Sequence, residues 1–517
     1  MFDLRSRLLL RDAPELIDLD PKTLDELLTA AHVELATARI SAQNEAEPSA
    51  EIFTRVRRLA STFEAYVALD LRPEQMRAAA FVAGTAHQIL ALLRNTRPDQ
   101  PTLLSSDAVD STISATVLFL IADRAADAAE VATRLSARDE PRAIRRALIL
   151  SIRDFATGRL EDLSYRRLLM NAAMVGESRE QATDLLFLEC AKAIRNLARE
   201  ARRTTVGSMN VRKRLRHVIK LSGAISDQLP GNLTGFVHHQ FAGPHHLASL
   251  MLRMVQGVRA SMLVRQPIPA GAEGGAWIGW TSSQAKVRPF LWINHQEAVR
   301  TGYLNKGASM VMTSPTGSGK TTLSMLKIAS TRCAGKSVVY LAPTHALVDQ
   351  IEDDFSHQLA DIDAVSVEDT ALQDFDETLP PFAVMTPERC LALLGFAPEL
   401  FSNVGLLVFD EFHLIGADTD PDSQKVSPRS IDAMLALLTF IRFCPVADLL
   451  LMSAMVSNAR AVADWLTAIT SRKVHVFDDP WKPTRQLRSC VIYERDAVTD
   501  AVAEAATAET KSARNRR

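Results

Sequence analysis

The hydrophobic rhythm of the chain changes once, near residue 266. Up to about Arg265 apolar positions recur at three- and four-residue spacing. Asp20 and Pro21 supply an N-cap and a first-turn proline, and Leu24, Leu27, Leu28, Ala31 and Leu35 then share one helical face. The same spacing predicts helices over 73–94, 110–135, 141–160, 180–203 and 245–264. Alanine and leucine dominate, β-branched alternation is scarce, and no fixed repeat period of the solenoid kind is present. Residues 1–265 are therefore expected to form an all-helical accessory domain, whose sequence names no chemistry.

Pro267, Pro269, Gly271, Gly274, Gly275 and Gly279 then break the helical pattern, so 266–288 reads as a Pro/Gly-rich linker or irregular hairpin. Trp277, Trp280 and Trp292 flank it and are expected to seal one domain against the next. Beyond Arg288, short apolar β-branched runs alternate with helical stretches. Candidate strands are 310–313, 337–342, 364–367, 382–385, 405–409, 449–452 and 474–477. Several are apolar without alternation, as in parallel strands covered on both faces. The alternation predicts a doubly wound α/β lobe with a parallel sheet over 289–493, and ligand at the carboxyl ends of its strands. The Ala- and Glu-rich segment 494–517 reads as a helical or disordered tail.

One stretch in the second half carries chemistry. The apolar run Met310-Val311-Met312 leads into Ser314-Pro315-Thr316-Gly317-Ser318-Gly319-Lys320-Thr321, and a helical pattern rich in Leu, Met and Ile follows. This strand–turn–helix order is the one a phosphate-binding loop needs. Gly317 and Gly319 let the backbone approach an anion with no Cβ in the way. Consecutive N–H groups and the helix N-terminus would point at one phosphate. Lys320 would reach the β- and γ-phosphates, and the Thr321 hydroxyl would enter the shell of a Mg²⁺ ion. Ser314 stands where Gly or Ala is usual, and is small enough for the turn.

About 90 residues on, the apolar run Leu406-Leu407-Val408-Phe409 ends in Asp410-Glu411-Phe412-His413. Two carboxylates at the end of a buried strand are costly unless something compensates them. A divalent ion does so: Asp410 would hold Mg²⁺, and Glu411 would orient and deprotonate an attacking water.

Composition narrows the setting without changing this reading. The 517 residues are 47% hydrophobic and 23% charged with a net charge of −2, which suits globular domains and not a histone-like polycation. The five cysteines have no paired spacing, as expected for a reducing cytosol with neither a disulfide framework nor a zinc site. Charge interrupts the N-terminus where a signal peptide needs an apolar core, and 113–122 is shorter than the roughly 20 residues of a membrane span. A cytoplasmic protein with no membrane partner is expected.

Two features of the helical half stay open. The basic positions Arg195, Arg199, Arg202, Arg203, Arg212, Lys213, Arg214, Arg216 and Lys220 suit a nucleic-acid backbone, or a solvated helix face. His238, His239, His245 and His246 could ligate zinc, yet no Cys, Asp or Glu joins them nearby, which favours ordinary hydrogen-bonded histidines.

With these residues in place, the second half resembles superfamily-2 helicases of the DEAD/DEAH-box type. Ser314–Thr321, Asp410–His413 and Ser453-Ala454-Met455 look like its motifs I, II and III. Ala342 to Leu347 resembles motif Ia, Thr386-Pro387-Glu388-Arg389 motif Ib, and Pro289 to Gln296 the adenine-reading region. The Asp-Glu-x-His form, Asp464-Trp465-Leu466 and Trp481 to Arg485 look closest to the Ski-like branch.

The resemblance implies a RecA-like fold and ATP with Mg²⁺ as cofactors. Ser314, Pro315, Thr316, Gly317, Ser318, Gly319, Lys320, Thr321, Thr322 and His413 would surround the nucleotide, with Gln296 on adenine. It implies a DNA or RNA strand held by Pro343, Thr344, His345, Thr386, Pro387 and Arg389, although His345 stands where Arg or Lys is common. Ser453, Ala454 and Thr484 would relay nucleotide state to strand grip. Such enzymes clamp ATP between two lobes, the second supplying arginine fingers worth about 10³–10⁵ in rate. The sequence stops soon after the first lobe, so slow turnover is expected from this chain, as a truncated product or as half of a split enzyme completed by a second polypeptide. A different class, an ATP-loaded scaffold that recruits partners without unwinding, is the alternative.

Overall fold

The structure is a computed structural model that describes residues 21–44, 50–69, 72–94, 103–165, 177–203, 210–226, 237–239, 241–359, 379–415, 428–454 and 458–483, with 494, 498–499 and 502. The expected strand at 364–367, Met455, Thr484, Arg485 and most of the tail lie outside the described residues. Met1–Pro483 forms one compact unit and Thr484–Arg517 another.

Helices Pro21–Asn44, Ala50–Ala68, Pro73–Arg94, Ser111–Ile121, Ala125–Ala132, Ala143–Ala156, Leu160–Tyr165, Ser178–Ala201, Val211–Leu221 and Ala242–Ser261 make the first half. Their apolar stripes meet in one core that includes Phe63, Tyr66, Phe119, Phe187 and Met251. Among the described residues, the stretch Pro73–Leu93 is long and apolar enough to cross a membrane, but most of it is buried in this core. One exception to the all-helical expectation is a small antiparallel pair, β1 (Ala224–Ser226) and β2 (Val237–His239). Three-residue strands are too short for alternation to register in the sequence.

His246 does not wait for a metal. It contacts Glu64, which also holds His87 at 2.9 Å. Burial works against the Glu64 charge, yet His246 foremost and then His87 bring its carboxyl well below the ordinary range. This partner comes from a helix 182 residues away, so inspection of the histidine neighbourhood could not find it.

The second half is built on a six-stranded, wholly parallel sheet. Its strands are β3 (Ser309–Thr313), β4 (Ser337–Leu341), β5 (Phe382–Met385), β6 (Val404–Asp410), β7 (Asp448–Ser453) and β8 (Val474–Asp478), in the order β5-β4-β6-β7-β3-β8. Helices Lys320–Cys333 and His345–Gln358 cover one face; Pro387–Phe396, Pro428–Phe443 and Ala459–Thr470 cover the other. Both faces are therefore dry, which accounts for the unalternated apolar strands. This is the RecA-like architecture.

Part of the expected linker is a helix, Gly274–Gln284. Glu273 caps it by accepting hydrogen bonds from the N–H groups of Gly275 and Ala276, so the glycines sit where a first turn needs its donors satisfied. Each helical glycine costs about 1 kcal/mol. Burial of Trp277 and Trp280, packed at 5.3 Å between ring centroids in the core of the second half, outweighs that cost.

The two halves are stitched at backbone level. Met262 and Phe290 form an antiparallel bridge, Leu263 N–H donates to Pro289 O at 2.9 Å, and Leu291 N–H donates to Ser261 O at 2.7 Å. Phe155 and Phe290 meet across the seam at 5.7 Å.

The phosphate-loop helix is anchored from below by a buried ion pair. Lys327 Nζ donates to Asp448 Oδ2 at 2.8 Å, with side chains 2% and 4% exposed, and to Asn305 O at 2.8 Å; Arg472 completes the pairing of Asp448. Removing one partner strands a buried charge. Asp448→Ala is expected to destabilise this unit by about 3–5 kcal/mol, read as a lower denaturation midpoint; an unchanged midpoint contradicts the anchoring role.

Candidate nucleotide site

The phosphate loop leaves β3 at the carboxyl end of the sheet, and its conformation permits little besides its own sequence. Gly317 and Gly319 have φ of +81° and +87°. A Cβ on Gly319 would also lie 2.4 Å from His295 Nε2, so glycine is required there twice over. Asn294 Nδ2 donates to Ser318 O at 2.8 Å, and the His295 ring, stacked on Trp292 at 5.2 Å, faces the same carbonyl at 3.3 Å. Burial holds His295 neutral, with its pKa lowered to about 4. The Ser318 hydroxyl donates to the Ser314 hydroxyl at 2.9 Å, which gives the unusual Ser314 a use inside the turn. Lys320 Nζ donates to Ser314 O at 3.2 Å and thus caps the loop's own carbonyl.

Asp410 closes β6. Tyr340, on the neighbouring β4, donates its hydroxyl to Asp410 Oδ2 at 2.9 Å, while Oδ1 accepts from Glu411 N–H at 2.9 Å. Burial, with the Glu411 charge adding to it, pushes the Asp410 carboxyl above its ordinary value; the Tyr340 hydrogen bond and the Lys320 charge oppose that rise. Glu411 has φ +49°, a left-handed conformation disfavoured in a residue with a Cβ by roughly 1–2 kcal/mol.

Strand β7 lies between β3 and β6, and its last residue touches both motifs. Ser314 N–H donates to Ser453 O at 3.1 Å. His413 Nδ1 stands 3.2 Å from Ser453 Oγ and 3.2 Å from Glu411 Oε2. Ala454 follows Ser453 directly; Thr484, named with them from sequence, lies outside the described residues.

Lys320, Thr321, Asp410 and Glu411 line one cavity of about 910 Å³, together with Thr316, Gly317, Gly319 and Thr322. The volume is at the upper end of ordinary ligand pockets. A loop of exposed amides, one lysine and paired acids fits a nucleoside triphosphate with Mg²⁺, which Thr321 and Asp410 would hold. The cavity extends past Trp292 to Leu120, Asp123 and Phe155 of the helical half. Gln296, expected on adenine, is buried at 5% exposure and outside the cavity lining, donating instead to Asp123 Oδ2 at 3.0 Å and Leu291 O at 3.1 Å.

Pro343, Thr344 and His345 lie where β4 ends; Thr386, Pro387 and Arg389 lie where the adjacent β5 ends. Thr344 caps helix His345–Gln358 and Thr386 caps Pro387–Phe396, so both hydroxyls serve their helices. The two helix N-termini lie at the carboxyl edge of the sheet, on neighbouring strands. Of the basic positions in the helical half, Arg214 pairs with Glu189 at 2.5 Å and Arg202 with Glu161 at 3.5 Å.

Fold and site together define a P-loop nucleotide-binding lobe. Residues 293–462 match the DEAD/DEAH box helicase family model, and this lobe is similar to superfamily-2 helicases of that type. The chain is 31% identical over 215 residues to the ATP-dependent DNA helicase Hel308 of Methanocella arvoryzae, covering 40% of this chain and 27% of that one. It is 27% identical over 208 residues to the DExH-box ATP-dependent RNA helicase DExH10 of Arabidopsis thaliana, covering 40% and 19%. The RQC trigger complex helicase SLH1 of Saccharomyces cerevisiae is 28% identical over 222 residues, covering 40% and 10%. The match thus spans about a quarter or less of these relatives. The solved DUF1998 helicase MrfA, bound to DNA and AMPPNP, overlaps 41% of this chain and 30% of its own at 20% identity and a TM-score of 0.32, a likeness that carries no functional weight.

Tyr340 and the pair Asn294–His295 are site residues that motif reading missed. Tyr340→Phe, which deprives Asp410 Oδ2 of its donor, is expected to weaken Mg²⁺ affinity about tenfold with metal-free nucleotide binding unchanged. Titration of Mg²⁺ into the nucleotide-bound protein checks this; an unaltered Mg²⁺ curve contradicts it.

Proposed function

We propose that this chain carries the ATP-binding lobe of an ATP-dependent nucleic-acid helicase or translocase, with the helical half as an accessory domain. The observation that carries the proposal is the bridging position of Ser453. One residue holds the phosphate loop through its carbonyl and reaches the Asp-Glu-x-His segment through its hydroxyl. A change at the γ-phosphate is therefore felt at Glu411 and His413 through one hydrogen-bonded chain.

The loop amides and Lys320 bind and orient the phosphates, and Thr321 and Asp410 hold the metal. Bound Mg²⁺ neutralises charge on the β- and γ-phosphates. Glu411 positions a water and takes its proton. A DNA or RNA strand lies against the helix N-termini after Thr344 and Thr386, where backbone N–H groups and Arg389 suit phosphate oxygens. The DNA helicase and RNA helicases among the relatives support a nucleic-acid partner of either kind. Full turnover draws on an arginine finger placed against the γ-phosphate.

Lys320→Ala is expected to lower ATP affinity at least about 100-fold, while Glu411→Gln keeps binding and lowers hydrolysis by about 10²–10⁴. Equal ATP affinity in wild type and Lys320→Ala contradicts the assignment. An arginine finger is worth about 10³–10⁵ in rate, so hydrolysis by this lobe on its own is expected to stay slow with or without nucleic acid. Robust strand-stimulated turnover by the monomer contradicts the need for a further lobe, and ATP binding with no strand affinity favours a scaffold.

A further inference from the structure

The nucleotide cavity does not end at the helicase lobe. Its far wall comes from the helical half: Leu120, Asp123 and Phe155 line it together with Phe290 and Leu291, with Thr157, Gln284 and Arg288 as polar neighbours. The backbone bridge between Met262 and Phe290 ties one of its lining residues to the helical half.

Within it the expected base reader is already engaged. The Gln296 carboxamide has two N–H hydrogens, and its Nε2 donates to both Asp123 Oδ2 and Leu291 O. It therefore cannot present the donor–acceptor pair that would select adenine, and it does not line the cavity. Asp123 does. Its Oδ2 is bound by Gln296, whereas Oδ1 has no hydrogen-bond donor among the described residues. The residue sits just past helix Ser111–Ile121 with φ +57°, a conformation Asp tolerates better than most residues. Arg77, Arg124 and Arg300 act on its charge, and burial keeps its carboxyl above the ordinary value.

We propose that Asp123 of the helical domain, positioned by Gln296, reads the nucleotide base by accepting a hydrogen bond from its exocyclic amine. The inference rests on the nucleotide-site reading above and adds a specificity-determining residue from outside the helicase lobe. A carboxylate oxygen with no other donor favours a base that presents an N–H and disfavours one that does not, because a base that covers the oxygen without donating to it leaves it unpaired. The helical half thereby becomes part of the nucleotide site, and the base bridges the two halves of the chain.

The test compares equilibrium binding of ATP and of purine riboside triphosphate, which lacks the 6-amino group, to the full chain. Wild type is expected to bind this amine-free analogue about 10- to 100-fold more weakly. Asp123→Gly accepts the positive φ without strain; it should weaken ATP to the level of the analogue and leave the analogue within about twofold. Asp123→Asn, isosteric but neutral, should show intermediate discrimination. A merely structural role for Asp123 would weaken both ligands equally, and that result overturns the proposal. So does equal affinity of wild type for the two ligands, or undiminished discrimination in both variants. If wild type binds neither, or Lys320→Ala binds both as wild type does, the nucleotide site itself has failed and the base reader with it.

Discussion

Strand β7 separates the phosphate loop from the paired acids, and the site depends on that spacing. Adjacent strands lie about 4.8 Å apart, so the ends of β3 and β6, with β7 between them, stand roughly 9.6 Å apart. Adjacent strand ends would leave no room for phosphates and a hydrated metal between Lys320 and Asp410. A wider interval would leave each group facing water. Ser453 occupies the middle position and ties both sides, its carbonyl to Ser314 and its hydroxyl to His413. The rest of the lobe keeps these three strand ends in place.

That placement is held against unfavourable local terms. Asp410 is half-buried, Glu411 adopts a left-handed backbone conformation, and Lys327, on the phosphate-loop helix, is buried in the core. The two charges are each compensated by a partner from another strand: Tyr340 for Asp410, Asp448 for Lys327. Strain and buried charge of this kind persist only where surrounding packing over-determines them, and here the dry faces of a six-stranded parallel sheet do so. The junction with the helical half follows the same logic, since Gln296 donates to Asp123 Oδ2 across it.

What could be read from the sequence was what is local in it. Ser314–Thr321 and Asp410–His413 declare themselves because each motif is contiguous and its flanking strand is apolar. The strands seen at 310–313, 337–342, 382–385, 405–409, 449–452 and 474–477 all correspond to observed strands. Features that depend on distant partners were invisible. Tyr340 looks like one more apolar strand residue until β6 is laid beside it, and Gln296 looks free until Asp123, 173 residues earlier, takes its amide. Helix Gly274–Gln284 was hidden for a different reason: glycine content argued against it, and only the side-chain cap of Glu273 and the burial of two tryptophans reverse that.

The central claim is that Thr321 and Asp410, two strands apart, serve one metal on one triphosphate. A crystal structure of the chain with Mg²⁺ and a non-hydrolysable ATP analogue measures this directly. The account predicts an octahedral ion about 2.0–2.1 Å from the Thr321 hydroxyl, with Asp410 bound to it directly or through one of its waters. An ion away from Asp410, or phosphates seated anywhere but over Gly317–Lys320, would contradict it.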